Sequence, residues 1–292
     1  MKGTKMKSFT MFIALLGAVF AVHASEPAEF KVASGSIEVR LVRNSLWNIA
    51  GIWYNGKEVC RASGAISGTT LNFNRKGWCG SGHRDSGVSE IIESISFKVD
   101  GKEWTPVDGT VKVEKFEMVK RAKLYSAILE YRLCITGNNV IEYNHVELTE
   151  TVDNATIYHA MHPWVKQFSD FIYKGRKGES ENGKFSNEKR SSEFKKRPDY
   201  FAAFAPAFQC GWVTVITQPA NFGTADAFDM TNRIIDRKLY YVPVRGGKIR
   251  KNWKTFSIVA TALYPAADVA QFLEKSAAAE AELRKLSAEL EK

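Results

Sequence analysis

The sequence predicts an all-β fold, a large antiparallel β-sandwich followed by a C-terminal α-helix. Strand-like runs succeed one another from Phe30 to about Ile258, and strong turn signals such as Asn-Gly and Asp-Gly separate several of them. Helical periodicity appears only in the last residues. Many strands without interleaved helices are typical of a sandwich or barrel, and 292 residues suffice for one large core or two small domains.

The first residues have the features of a secretory signal, which we assign to residues 1–24. Three lysines form a positive segment before the short apolar run Met11–Val22, and small residues precede the expected cleavage after Ala24. The run is too short for a membrane span, and no later stretch approaches the roughly 18 apolar residues that a span requires. We therefore expect a secreted or periplasmic protein with no membrane span.

A sandwich domain is expected over residues 25–264, because apolar and polar residues alternate there with the period of two that half-buried strands show. Two of the runs end at Asn55-Gly56 and Asp100-Gly101, which are strong hairpin signals. The expected strands are, in order, Ser36–Val42, Trp47–Tyr54, Ile91–Val99, Val111–Met118, Ala127–Ile135, Val140–Val152, Ala155–Met161, Trp212–Thr217, Lys238–Val244 and Thr255–Leu263.

One predicted hairpin carries a polar face. A two-residue turn between Ala127–Ile135 and Val140–Val152 aligns even positions of the first strand with odd positions of the second. The core face then holds Leu129, Tyr131, Leu133, Val146 and Leu148, and the polar face holds Glu130, Arg132, Tyr143, His145 and Glu147. The polar face is either a binding surface or a solvated sheet with cross-strand ion pairs, and both interpretations stay open.

Residues 265–292 predict a helix. Pro265 ends the last strand, and Asp268 can cap the first helical turn. An apolar stripe in steps of three and four then runs through Val269, Phe272, Ser276, Ala279, Leu283, Leu286 and Leu290. The stripe either packs on the sandwich or mediates a homodimer, and its serine and alanine favour packing on the parent domain.

The charge distribution favours an anionic partner. Cleavage after residue 24 removes three lysines and leaves a net charge of +6 (38 − 32), and residues 174–197 carry nine Lys/Arg against four Glu. A cationic segment on an exported protein suits an acidic polysaccharide or a membrane surface, although it could also be a solvated loop. Without a recognisable binding motif, nucleic acid is not expected.

Four cysteines remain after cleavage, and an exported chain permits disulfides among them. We expect a Cys60–Cys79 disulfide, since both residues flank one glycine-rich region. No CxxC spacing occurs, so neither a metal site nor a cofactor is expected.

Two stretches hold most of the candidate functional residues. In GWCGSGHRDSGVSE, residues 77–90, four glycines surround His83 and Arg84, which predicts a rim loop that is either functional or merely polar. If residues 155–162 form one strand, Tyr158 and His162 share a face, and the proline after His162 predicts a strand end at a sheet rim. Trp78 and Trp164 are expected in exposed loops, where flat rings can cover sugar faces.

Three stretches carry a resemblance to a known group of proteins. SGSIEVRLVRNSLWNIAGIWYNGKEV, GSGHRDSGVSEIIESISFKVDGKEW and IYHAMHPWVKQFSDF are similar to secreted carbohydrate-active proteins with a galactose-mutarotase-like β-supersandwich. The resemblance covers most of residues 30–260. It implies that sugars bind on a concave sheet face bordered by loops, but the group includes mutarotases, hydrolase domains and polysaccharide lyases, so it does not select a reaction.

Among these reactions, the side chains favour a lyase. A glycosidase needs two carboxylates across the scissile bond, and no marked pair occurs in a loop. A mutarotase needs an acid and a base, which His and Glu could supply. A lyase must neutralise a uronate carboxylate, remove the adjacent proton and protonate the leaving oxygen, and Arg, His and Tyr suit these tasks.

The sequence thus predicts a secreted polysaccharide lyase that cleaves a uronate-containing anionic polysaccharide by β-elimination, with alginate as the first candidate. Residues 174–197 would fold over the polymer as a basic lid. The alternatives are a non-catalytic carbohydrate-binding protein, a mutarotase or a glycoside hydrolase on the same fold. The expected catalytic residues are His83, Arg84, Tyr158 and His162, and the expected substrate-binding residues are Trp78, Tyr143, His145, Trp164 and Lys166.

Overall fold

The structure is a computed structural model that describes residues 26–61, 68–73, 77–80, 88–175, 178–186, 190–196, 198–217, 227–232 and 236–290. The expected signal segment, residues 1–24, lies outside the described residues. His83 and Arg84 also lie outside them.

Strands make up most of the described chain, and one helix follows them. The first strands are β1 (Glu29–Ser34), β2 (Ile37–Val42), β3 (Asn48–Tyr54), β4 (Lys57–Arg61), β5 (Thr70–Asn72), β6 (Ile91–Val99), β7 (Lys102–Glu103), β8 (Thr110–Lys112), β9 (Lys115–Leu124), β10 (Ala127–Thr136) and β11 (Asn139–Leu148). The later elements are β12 (Thr156–Tyr158), β13 (Ala160–Val165), β14 (Asp170–Gly175), β15 (Ser180–Lys184), β16 (Arg190–Lys196), β17 (Pro198–Ala205), β18 (Cys210–Thr217), β19 (Ala227–Asn232), β20 (Asp236–Val242), β21 (Val244–Arg245), β22 (Lys254–Pro265) and the helix α1 (Val269–Leu290).

These strands form two large sheets and one small sheet. The nine-stranded sheet has the order β16-β19-β20-β13-β4-β3-β2-β1-β8, and the ten-stranded sheet has the order β15-β14-β17-β18-β22-β11-β10-β9-β6-β7. The three-stranded sheet has the order β21-β12-β5. Pairing is antiparallel except between β1 and β8 among the described strands. The predicted all-β class, an antiparallel sandwich with a C-terminal helix, is confirmed.

The main core fills the space between the two large sheets. Apolar side chains of β1–β4 and β13 meet those of β10, β17 and β18 there, and the stacked rings of Trp164 and Trp212 lie among them. A second apolar cluster lies on the outer face of the ten-stranded sheet, beneath α1. A third cluster lies between the three-stranded sheet and the ends of β9–β11. The cluster to which a buried side chain belongs therefore shows which face of its sheet that side chain lies on.

The predicted hairpin with one polar face is confirmed as β10 and β11. Thr136 pairs with Asn139 around a two-residue turn, so Glu130 faces His145 and Arg132 faces Tyr143. These four side chains are half-buried on the outer face. Leu129, Tyr131 and Val146, on the opposite face, are buried. The alternation of apolar and polar residues therefore correctly predicts which face enters the core.

The C-terminal helix packs on the chain's own sheet, one of the two predicted alternatives. Asp268 Oδ1 accepts a hydrogen bond from the Gln271 backbone N–H at 2.9 Å, which is the expected N-terminal cap. Phe272 stacks on Phe204 at 5.5 Å, and Ser276 Oγ lies 2.7 Å from the Tyr264 hydroxyl. The stripe is therefore in contact with the ten-stranded sheet, and its serine has a polar partner there.

The expected Cys60–Cys79 disulfide is wrong. The cysteines are buried thiols: Cys60 lies in the main core, whereas Cys79 lies in the third cluster, where its backbone bridges to Leu71. Both flank the same glycine-rich region in sequence, but Cys60 lies in β4 of the nine-stranded sheet, whereas Cys79 bridges to Leu71 of β5 in the three-stranded sheet. Burial raises the pKa of Cys79 to about 11, so its thiol stays protonated at neutral pH.

The described parts of residues 174–197 form edge strands and not a lid. β15 pairs with β14 at one edge of the ten-stranded sheet, and β16 pairs with β19 at one edge of the nine-stranded sheet. Lysine and arginine on edge strands discourage pairing with other chains. The positive charge of this segment therefore has a structural explanation. No helix in the described part of the chain has the length and hydropathy to cross a bilayer.

Candidate functional site

Three aromatic side chains form a half-buried row at the surface, which we call the aromatic row: Trp78, Tyr158 and Tyr240. The Trp78 and Tyr158 rings stack at 4.6 Å between centroids with an angle of 19°, and Tyr240 lies 5.3 Å from Tyr158. Each of the three is neither fully buried nor fully exposed. Two residues predicted to touch substrate from sequence, Trp78 and Tyr158, are thus brought together.

Strand alternation turns the aromatic row away from the core. Ile157 is fully buried in the third cluster, so its neighbour Tyr158 in β12 points to the other side of the three-stranded sheet. Leu239 and Tyr241 are in the main core, so Tyr240 in β20 points to the outside of the nine-stranded sheet. The aromatic row therefore spans the junction between these two sheets on the outside of the sandwich.

Backbone hydrogen bonds hold Trp78 beside β12. Leu71 and Cys79 exchange N–H···O bonds of 3.0 and 2.9 Å, and Leu71 pairs with Ile157 of β12. The next residue, Gly80, donates its N–H to the Val88 carbonyl at 3.1 Å. This hydrogen bond joins the two described residues, Gly80 and Val88, that flank residues 81–87 in sequence, and it lies two residues from Trp78.

Two polar residues share the outer face of the three-stranded sheet with Tyr158, and the sequence did not predict either. Thr156 pairs with Arg245 on one side and with Asn72 on the other, so all three side chains lie on the face of Tyr158. Arg245 is exposed. Asn72 Oδ1 is buried and has no hydrogen-bond partner among the described residues. The sequence signal that could have indicated Arg245 is the run RGGKIRKNWK, residues 245–254, which has five cations and no acid.

His162 lies inside the sandwich and not at a sheet rim, so that expectation is wrong. Its side chain is 2% exposed, and its Nε2 donates to Glu142 Oε1 at 2.7 Å. The Tyr131 hydroxyl donates to the other carboxylate oxygen, Oε2, at 2.9 Å. Pro163 does not end the strand, which continues to Val165. Among the described residues, β13 pairs with β4 only through Trp164 and Cys60, so the N–H that Pro163 lacks is not required for that pairing.

Tyr158 and His162 do not share a face, because the chain changes sheets at His159. β12 ends at Tyr158 in the three-stranded sheet, and β13 begins at Ala160 in the nine-stranded sheet. His159 is fully buried, and its Nδ1 forms a 2.5 Å hydrogen bond with Ser257 Oγ. Because of this change of sheet, the alternation of inward and outward side chains does not continue from Tyr158 to His162. Tyr158 therefore points to the outside of the sandwich, whereas His162 points to the inside.

We expect acid to destabilise the protein partly through His159. Burial, with a smaller contribution from His145, lowers the pKa of His159 to about 3. Below the ordinary histidine pKa of about 6.5, the unfolded chain binds a proton that folded His159 does not bind, so stability falls as the pH falls. This costs about 1.4 kcal/mol per pH unit, or about 2 kcal/mol between pH 6.5 and 5.

Urea unfolding at pH 7 and pH 5 measures this loss, and His159→Gln is the matched variant that does not titrate. We expect His159→Gln to be less stable than the wild type at pH 7 but to lose less stability at pH 5. An equal loss in both proteins would contradict the assignment.

A second buried polar group is centred on Lys120. Its Nζ donates to the Leu46 carbonyl at 2.9 Å, to Asn48 Oδ1 at 2.8 Å and to Glu90 Oε1 at 3.2 Å. Burial lowers the pKa of Lys120, whereas Glu90 opposes this shift. The Lys120 side chain, like the Glu142 and Tyr131 side chains that contact His162, lies on the inner face of the ten-stranded sheet. That face is therefore filled by the protein's own side chains.

Tyr143 and His145 lie on the outer face of the ten-stranded sheet, across the sandwich from the aromatic row. The Tyr143 ring lies between the Arg132 guanidinium, 4.8 Å from its centroid, and the Phe256 ring, 5.5 Å away. Burial lowers the pKa of His145, and Glu130 opposes this shift. The structure thus separates these two residues from Trp78 and Tyr158, with which the sequence grouped them.

A cleft of about 440 Å³ adjoins this outer face at the end of α1. Both arginines that line it have carboxylate partners: Arg132 NH2 lies 2.6 Å from Glu130 Oε1, and Arg121 Nε lies 3.5 Å from Glu93 Oε2. The first of these ion pairs lies within β10, and the second joins β9 to β6. Among the described residues, no three His, Cys, Asp or Glu side chains are placed to hold a metal ion.

The expectation that Trp164 is an exposed loop residue is wrong. Trp164 is 0% exposed and stacks on Trp212 at 4.5 Å in the main core. Its strand position places it on the same inner face as His162, whose ring it meets edge-on at 5.9 Å. Lys166 follows β13 and is half-buried, and its carbonyl lies 3.5 Å from a guanidinium nitrogen of Arg237.

Several solved structures are similar to this chain. A putative aldose 1-epimerase from Escherichia coli K12 is 10% identical, with 81% of this chain and 99% of that chain covered and a TM-score of 0.46. A galactose mutarotase related enzyme from Lactobacillus acidophilus is 8% identical, with 82% and 98% covered and a TM-score of 0.44. A GH36 alpha-galactosidase from Geobacillus stearothermophilus is 9% identical, with 82% and 41% covered and a TM-score of 0.45.

The first two of these proteins bear names of the kind that the sequence resemblance indicated. No protein-family model matches the sequence, and no curated protein sequence matches it.

Proposed function

We propose that the protein binds a uronate-containing anionic polysaccharide at the aromatic row and cleaves it by β-elimination, with alginate as the first substrate to test. The observation that carries this proposal is the stack of Trp78 and Tyr158, which is half-buried on the outside of the sandwich. A signal segment at residues 1–24 would export the protein to the compartment where such polymers occur.

The aromatic row suits a sugar chain for a physical reason. Sugar rings have apolar faces, and flat aromatic side chains cover them at a small cost in side-chain entropy. Tyr158 and Tyr240 also present hydroxyl groups that can donate or accept hydrogen bonds. The nearby cations of residues 245–254 favour an anionic chain over a neutral one.

In the proposed reaction, Tyr158 transfers the protons. Its oxygen, as the phenolate, takes the proton from the carbon next to the uronate carboxylate, and the electrons of that C–H bond form a carbon–carbon double bond. The glycosidic C–O bond breaks, and its electron pair stays on the leaving oxygen. That oxygen receives the proton from the Tyr158 hydroxyl formed in the first step, which restores the phenolate. His83 and Arg84, which lie between Gly80 and Val88 in sequence, would hold the carboxylate. His162 has no part in this reaction, because it is buried against Glu142.

The test is incubation with a panel of uronate polysaccharides, following the ultraviolet absorbance of the unsaturated product together with new reducing ends. We expect both signals from the wild type. Tyr158→Phe keeps the stacked ring and removes the proton-transferring oxygen, so we expect at least a hundredfold loss of turnover, with binding retained. Tyr125→Phe is the matched control, because Tyr125 is a 49% exposed tyrosine at the turn between β9 and β10 and is not part of the aromatic row.

Reducing ends without the ultraviolet signal would replace the lyase with a hydrolase. Full turnover by Tyr158→Phe would remove Tyr158 from the mechanism.

A non-catalytic carbohydrate-binding protein is the second candidate, and the place of His162 favours it. His162 is one of the two side chains that the sequence predicts for proton transfer. It lies inside the sandwich and forms a 2.7 Å hydrogen bond with Glu142. A binding protein would need only the aromatic row and its cations. It would show saturable binding without product, and Trp78→Ala would weaken that binding.

A further inference from the structure

We propose that the exposed face of α1 joins two copies of this chain into an antiparallel, two-fold symmetric dimer. The buried face of the helix packs on the ten-stranded sheet through Phe272, Ser276 and Leu283, so the opposite face is turned away from the chain's own core. This inference does not depend on the proposed function.

The exposed face of α1 is apolar between its charged residues. Val269 and Leu273 lie one turn apart and are each 43% exposed, although most large apolar side chains of the described residues are buried. The other uncharged exposed residues of the helix are all alanines: Ala270, Ala277, Ala278, Ala281 and Ala288. An exposed apolar face of this kind is typical of a contact with another protein.

Four of these alanines form a line that reads the same in both directions. Ala270, Ala277, Ala281 and Ala288 are separated by seven, four and seven residues. With 3.6 residues per turn, they fall within about 40° of one another around the helix axis. An antiparallel second copy therefore places Ala270 opposite Ala288 and Ala277 opposite Ala281. A two-fold interface repeats each contact, and small side chains at all of them let the two helices approach closely.

Two charged residues beside this line are complementary to a second copy. Glu274 and Lys285 lie on the same side of the alanine line, both within about 60° of Ala270 around the helix axis. Both are exposed, and neither forms an ion pair among the described residues. Eleven residues separate them, about 16 Å along the axis, which is too far for a pair within one helix.

The antiparallel arrangement brings these opposite charges together. A two-fold axis between the helices keeps each side of one helix next to the same side of the other. Glu274 of one copy then lies within one residue of the level of Lys285 of the second copy, and the symmetry creates this pair twice. The sequence of α1 is thus complementary to its own reverse in both shape and charge.

This self-complementarity favours a second copy over the other possible occupants of the face. An unrelated protein does not require a pattern that matches its own reverse. A bilayer surface attracts helices rich in lysine and arginine, whereas residues 269–290 carry four Glu against three Lys/Arg.

Sedimentation equilibrium of the full chain from about 1 to about 500 µM measures the dimer, because one 22-residue helix from each copy makes a small interface of the weak, reversible class. We expect wild type to dimerise within this range. Glu274→Lys and Lys285→Glu should each weaken dimerisation about tenfold, because each places like charges opposite each other at two symmetry-related contacts. The double variant exchanges the two charges and should restore dimerisation.

Lys102→Glu is the matched control, because it makes the same charge change at an exposed lysine in β7, at the edge of the ten-stranded sheet. It should dimerise as wild type does. The two single variants at positions 274 and 285 change the net charge in opposite directions, so a net-charge effect cannot weaken both. A wild type that is monomeric at every concentration, or a double variant as weak as the single variants, would overturn the inference.

Cross-linking tests the direction of the two helices. In the antiparallel dimer, the two copies of position 278 lie about 3 Å apart along the helix axes, whereas the two copies of position 270 lie about 27 Å apart. A short bismaleimide should therefore link Ala278→Cys chains in pairs and leave Ala270→Cys chains single, since the four native thiols are buried. Equal linking of both variants would indicate parallel helices, and no linking of Ala278→Cys would indicate no contact, so either result would contradict the proposed dimer.

Discussion

Glu142→Ala is expected to lower the free energy of unfolding by about 3–5 kcal/mol, the range measured when one member of a buried ion pair is removed. The Glu142 carboxylate is 0% exposed and accepts hydrogen bonds from His162 Nε2 at 2.7 Å and from the Tyr131 hydroxyl at 2.9 Å. Truncation leaves both donors buried without that acceptor, and it also leaves a cavity in the inner face.

Urea or guanidinium unfolding measures this loss, and two variants calibrate it. Glu142→Gln keeps an acceptor for Tyr131 and the side-chain volume, so it should cost clearly less than alanine. Glu147→Ala changes a half-buried glutamate on the outer face of the same strand, and it should cost less than about 1 kcal/mol. If Glu142→Ala were no more costly than Glu147→Ala, the buried position of the His162 pair would be wrong.

Trp164→Ala is expected to destabilise the protein by about 3–5 kcal/mol, as removal of a large buried aromatic ring does. The indole is 0% exposed and stacks on Trp212 at 4.5 Å, with the Phe168 ring edge-on at 5.7 Å. The surrounding strands belong to both large sheets, so the cavity cannot close without moving a sheet.

Trp78→Ala is the matched change at a half-buried tryptophan. It should cost less stability than Trp164→Ala, because less of the ring is removed from water in the folded protein. Its main effect should instead be on polysaccharide binding. The pair is measured by thermal unfolding and by polymer binding of each folded variant. A loss of binding in a fully folded Trp164→Ala protein, together with normal binding by Trp78→Ala, would reverse the two assignments.

The sequence was sufficient for features that depend on near neighbours in the chain. The β10–β11 hairpin has the predicted alignment of even positions with odd positions, because any two-residue turn in an alternating pattern places the same residues on the polar face. The cap of α1 by Asp268 was predicted for the same reason. Each of these inferences needs only a few consecutive residues.

Features that depend on distant pairing were missed. Residues 155–162 read as one strand, but the chain changes sheets at His159, and no local pattern records that change. Trp164 and Trp78 have the same side chain, and packing against residues distant in sequence, such as Trp212, makes Trp164 a core residue. Arg245 is near Tyr158 solely because β21 pairs with β12, so a list of histidines and loop residues could not include it.

The position of β22 has a consequence for how the protein folds. In the ten-stranded sheet, β22 lies between two groups of strands, which are β14, β15, β17 and β18 on one side and β6, β7, β9, β10 and β11 on the other. The strands on either side of β22 can form local hairpins early. The two groups cannot join into one sheet until β22 has been synthesised and has paired with both β11 and β18. Contacts between distant segments are slow to form, and unpaired strand edges exposed meanwhile invite aggregation. The insertion of β22 between β11 and β18 is therefore the step on which cooperative folding of the sandwich depends, and chains that stop before it have two half-sheets with open edges.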